Sequence, residues 1–175
     1  HVKPDMRGTV PIQHLSRNLP GDHALFEDPA TESPHVGCVS TANDLWRFSE
    51  MLRRGGELDG TRILSPTMIR LARQVHTGDM PNELYRTAHL RAGWQVAPAY
   101  MGLGFNVRGT AVVPHQLGIL TSPETFGNYG AGSTLLWVDP ARDVSFAACS
   151  AGVMTQTANI ARFQKLSDLV ISAMV

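Results

Sequence analysis

Cysteine, lysine and long apolar runs are all scarce in this chain, and each scarcity closes off a class of function. Only two cysteines occur, Cys38 and Cys149. Neither belongs to a C-x-x-C pair, so the spacing supports neither a zinc centre nor a thiol-redox site. Each reads as a small apolar residue filling core volume, with a disulfide between them left open. No apolar run approaches the roughly 20 residues that a bilayer-crossing helix needs. Lysine plus arginine and aspartate plus glutamate number 15 each, so the formal charge is zero. There is no long-range field to draw nucleic acid or an anionic membrane surface, and no block of like charge marks a binding tail. His14, His23 and His35 have no metal-ligand spacing and read as loop residues, so no metal and no cofactor is expected. The compartment is not legible, and no signal peptide is visible at His1.

What is present is enough for one domain with a real core: 175 residues, 43% of them hydrophobic. Residues 1–37 are rich in Pro, His, Gly and Asp and read as an irregular segment. The text changes at Ser40. Ser40 or Thr41 caps a helix, with Asp44 completing a capping box. Leu45, Phe48, Met51 and Leu52 share one face. Arg53 and Arg54 suit the negative end of the dipole, and Gly55-Gly56 stops the helix. Asp59-Gly60 makes a turn, and Ser65-Pro66 opens a second helix whose apolar stripe is Met68, Ala72 and Val75. The two helices occupy residues 38–76.

Residues 77–100 are ambiguous. Met101, Leu103, Phe105 and Val107 then alternate with Gly102, Gly104, Asn106 and Arg108, the period of a half-buried strand. The small partners imply close approach by another segment. Leu135, Leu136, Trp137 and Val138 form an interior strand. A reverse turn over 139–143 returns the chain through Val144 to Cys149. Residues 101–150 thus hold about three antiparallel strands, and a last helix over 157–175 buries Ile160, Phe163, Leu166, Val170 and Met174. Trp46, Trp94 and Trp137 read as core or cleft-wall residues. Three strands leave an open sheet edge, which missing strands or a dimer would cover.

Two blocks carry a family resemblance. Residues 38–66, CVSTANDLWRFSEMLRRGGELDGTRILSP, and the later GLGF, FGNYGAGST and WVDPARD resemble segments of the serine β-lactamase-like family. That family takes in penicillin-binding proteins, class C β-lactamases and related esterases. The resemblance implies the carboxy-terminal part of a β-lactamase-like α+β fold, with an antiparallel sheet covered by helices. It also implies a parent enzyme that transfers an ester or amide acyl group through an acyl-enzyme.

The family works through three motifs, and the chain departs from them. The first, S-x-x-K, pairs an attacking serine with a lysine that helps remove its proton. The only lysines are Lys3 and Lys165, and neither follows a serine by three residues. No catalytic set is complete, and the chain alone is expected to be inactive. The second motif is matched only by Ser16-Arg17-Asn18, which lies too close to the first block and reads as coincidence. The third falls on Asn128-Tyr129-Gly130, a candidate substrate-binding strand. The resemblance gives the backbone N–H of Ala131 a place in an oxyanion hole. Lys or His at position 128 would carry charge, whereas Asn only hydrogen-bonds, which weakens the case for β-lactam or peptidoglycan substrates. The expected partners are a small acyl substrate in the parent and either the missing amino-terminal part or a second copy. The alternative is a non-catalytic ligand- or partner-binding module of the same descent. A thiol triad of Cys149, His115 and Asp143 is rejected because Cys149 lies in an apolar strand.

Overall fold

A computed structural model describes residues 40–130, 133–150 and 154–174. The first helix, α1 (Ala42–Arg53), starts as its sequence dictates. Thr41 Oγ1 accepts the Asp44 N–H at 3.1 Å and donates to the Asp44 carboxylate at 2.8 Å. Gly55 and Gly56 end the helix with φ of +70° and +96°. A Cβ on Gly56 would stand 2.1 Å from the Leu64 carbonyl oxygen, so only glycine fits there. Short strands β1 (Glu57–Leu58) and β2 (Thr61–Arg62) pair across the Asp59-Gly60 turn, whose two residues both have positive φ. Ser65 Oγ then caps α2 (Pro66–Ala72), with Pro66 in its first turn.

The segment left ambiguous contains a further helix, α3 (Glu83–Arg91), capped by Asn82. Its weak amphipathic pattern hid it, since Leu84 and Leu90 are exposed while Tyr85 and His89 are buried.

The main sheet has the order β3-β4-β5-β6 and is antiparallel throughout: β3 (Asn106–Val107), β4 (Phe126–Gly130), β5 (Thr134–Asp139) and β6 (Val144–Cys149). It has four strands, one more than expected. The strand read over 101–107 shrinks to its last two residues. Gly102 donates to Phe105 O, Gly104 takes φ of +78°, and Leu103 points out at 51% exposure. The alternating glycines therefore make a turn. The close approach they implied is there: a Cβ on Gly102 would lie 2.1 Å from Ala72 O.

Helix α4 (Gln156–Ser172) closes the described chain. Strand alternation divides the core between two faces of the sheet. On the α1 face, Met51, Leu52, Ile69, Phe126 and Val138 pack with Tyr100 and Val107. On the α4 face, Leu117, Leu135, Trp137 and Phe163 form a second cluster. Trp137 stacks on Phe146 at 5.2 Å, and its indole N–H donates to Ser167 Oγ at 3.0 Å. The α+β architecture of an antiparallel sheet covered by helices is thus observed.

Several burial expectations need correction. Phe48 and Met68 are 43% and 50% exposed, and Ile69 is the residue of α2 that reaches the core. Met174 and Trp46 are exposed, as is Cys149, a free thiol at the end of β6 rather than core filling. One-dimensional periodicity locates a stripe but not what lies opposite it. Cys38 and the three loop histidines lie outside the described residues.

Candidate functional site

Strand β4 carries Asn128-Tyr129-Gly130, held by β5 along its whole length and by β3 at its start. Gly127, just before them, faces Trp137 across the ladder. A Cβ there would meet Leu136 O at 2.1 Å and Trp137 Cα at 2.6 Å. The strand's flat entry therefore depends on glycine.

Asn128 and Tyr129 point to opposite faces. Asn128 is on the α1 side and exposed, yet both ends of its amide are engaged. Its Oδ1 accepts from Asn106 Nδ2, and its Nδ2 donates to Gly104 O at 2.8 Å. The side chain ties β4 to β3 and to the glycine turn. Tyr129 is half-buried on the α4 side, with ring centroids 6.0 Å from both Tyr85 and Phe163. Burial pushes its phenol well above the ordinary range, and Tyr85 adds to the rise by charge and hydrogen bonding. A hydrogen bond with Gln156 offsets a little of it. Tyr129 is thus a neutral phenol near pH 7. Gly130 O accepts from Ser133 N at 3.0 Å, fixing the turn into β5. Ala131 lies outside the described residues.

Beside these residues runs an open cleft of about 270 Å³. Asn128, Tyr129 and Gly130 line one side, Thr134, Leu135 and Leu136 of β5 continue it, and Leu45 of α1 closes it. Among the described residues, no lysine, histidine or carboxylate lines it. The described part of the wall supplies shape and polarity without charge.

The sequence pointed to the strand but not to Asn106, Gly104 or Tyr85, which orient it. Their pairings span roughly 20 to 45 positions, and no local pattern reports such distances. Cys149, His115 and Asp143 are not brought together. Asp143 precedes β6 and Cys149 ends it, roughly 20 Å apart for an extended strand of that length. His115 is buried elsewhere, and its Nδ1 accepts from Leu117 N at 3.1 Å. Among the described residues, no group of three or more His, Cys, Asp or Glu is placed to hold a metal ion. No helix among them is long and apolar enough to cross a membrane.

A sheet with helices on both faces and a glycine-rich β4 define the class, and the chain belongs to the Beta-lactamase family, whose sequence model matches residues 4–169. Among curated proteins it is similar to the uncharacterized protein MT1414 of Mycobacterium tuberculosis strain CDC 1551 / Oshkosh and to Protein Rv1367c of strain H37Rv. Each is 35% identical over 112 residues, covering 62% of this chain and 26% of the relative. The chain thus spans about a quarter of the length of these relatives. Among solved structures it resembles a beta-lactamase (Mb2281c) from Mycobacterium bovis, with 28% identity and a TM-score of 0.60, covering 76% of this chain and 44% of that one. Membership in a β-lactamase-like hydrolase family agrees with the expectation from the two sequence blocks.

Proposed function

We propose that this chain forms the sheet wall of a serine acyl-transfer site whose attacking serine and lysine come from the rest of a longer protein. The observation that carries the reading is the cleft along Asn128-Tyr129-Gly130, where Gly130 has no side chain to keep a substrate from the backbone. In this reading the three residues position an acyl substrate, and the Ala131 N–H completes an oxyanion hole with a second donor from elsewhere. The substrate class is a neutral ester or amide, because an asparagine at position 128 offers no cation to a carboxylate. The chain alone has no hydrolase activity, since it contains no S-x-x-K. Incubating the purified 175-residue chain with a p-nitrophenyl ester tests this. Turnover abolished by a serine-directed fluorophosphonate would overturn it.

One observation favours a second reading, a non-catalytic binding module. Both polar ends of Asn128 are already occupied by Asn106 and Gly104. A substrate would have to compete with those bonds. Sequencing upstream of His1 separates the readings. An in-frame S-x-x-K supports the acyl-transfer wall, and a start codon in its place supports the module.

A further inference from the structure

Two adjoining grooves of about 310 and 170 Å³ lie between α2 and the sheet, and they share Arg70 and Arg73. Neither shares a lining residue with the cleft at Asn128. Arg70 and Arg73 stand three apart on α2 and at its cap, so their stems leave the helix on one side. Several arginines of the described residues are tied to carboxylates or carbonyls. Arg47, Arg54, Arg62 and Arg86 hold carboxylates at 2.6 to 2.7 Å, and Arg108 donates to four backbone carbonyls. Arg70 donates Nη2 to the Thr67 hydroxyl at 2.8 Å and meets no carboxylate among the described residues. Arg73 has the longest of the described ion pairs, 3.4 Å to Glu124, whose side chain is 62% exposed. The Gln74 side chain lines the first groove and can add an amide donor.

The walls are apolar. Val75, Val107 and Pro123 flank the arginines in the first groove. In the second, Ile69, Phe126 and Val138 are buried core residues, so the accessible apolar wall is that of the first groove. Two guanidiniums with spare donors beside an apolar wall match an oxyanion carried on an apolar body.

We propose that this groove binds a small carboxylate with an aliphatic or aromatic body. The carboxylate bridges Arg70 and Arg73 and displaces the loosely held Glu124, while the body lies against the exposed Val75 and Pro123. Phenylacetate is the probe, titrated into the ¹⁵N-labelled 175-residue chain and followed by amide shifts. Phenylacetamide and sulfate serve as controls. The expected result is saturable shifts at Val75 and Val107 with phenylacetate, at least fivefold weaker binding of either control, and at least tenfold weaker phenylacetate binding in Arg70→Gln/Arg73→Gln. Glu124→Gln removes the internal competitor and is expected to tighten phenylacetate severalfold, which keeps the test decisive if the double variant misfolds. Equal binding of phenylacetamide would overturn the anion requirement, and equal binding of sulfate would overturn the apolar one. No saturable shift, or weaker binding in Glu124→Gln, would overturn the site.

Discussion

Replacing Glu50 by Gln tests the electrostatic joint between α1 and the sheet. The Glu50 carboxylate is buried, with a side-chain exposure of 7%. It accepts from Arg53 Nε and Nη2 at 2.7 and 2.6 Å, from Arg54 Nε at 2.7 Å, and from Ser145 Oγ of β6 at 2.9 Å. Arg53 also reaches Asp143 in the turn before β6. The hydrogen bonds from Arg53, with those from Arg54 and Ser145, hold the carboxyl down to about 2 against an ordinary 4.5, while burial opposes them. A lowered native pKa means that the unfolded chain binds more protons in this window, so the contribution is complete above about pH 4.5 and fades toward pH 2. A displacement of that size corresponds to roughly 3 kcal/mol at neutral pH. Gln keeps the shape and one acceptor but leaves Arg53 only the exposed Asp143 and Arg54 no carboxylate among the described residues, so a loss of about 2–3 kcal/mol is expected at pH 7. Urea denaturation of both proteins at pH 7, 4 and 2.5 measures it. The gap should shrink as pH falls, because acid neutralises the wild-type carboxylate too. A loss under about 1 kcal/mol at pH 7, or a gap independent of pH, would refute the assignment.

Gly127→Ala should lower stability by roughly 3 kcal/mol, since its Cβ would collide with backbone atoms of β5; thermal unfolding compares the two. Trp137→Phe leaves the Ser167 hydroxyl without its indole donor and opens a void against Phe146, costing about 2 kcal/mol by urea titration. His115 is buried, and desolvation with help from the Arg108 and His89 charges pushes it down to about 3. Stability should therefore decline as pH falls from 6.5 toward 3, and His115→Gln should flatten that slope between pH 6.5 and 4.5, above the window of Glu50.

Local signals in the chain were readable wherever cause and effect lie within a few residues. Thr41 with Asp44, Gly55-Gly56, Asp59-Gly60 and Ser65-Pro66 each act over one turn of backbone, and each does what its letters imply. The interior strand over 135–138 and its hairpin follow from an apolar run and a turn. By itself, then, the sequence determined the starts of α1 and α2, the hairpin, the family and the strand to inspect. Only the tertiary structure decided what the side chains there meet. It bent 102–105 into a turn against Ala72, tied Asn128 to Asn106, turned Tyr129 toward Tyr85 and brought Ser145 to Glu50, 95 positions away. Burial and hydrogen-bond partnership are properties of two segments at once, and a pattern read along one segment carries no record of the other.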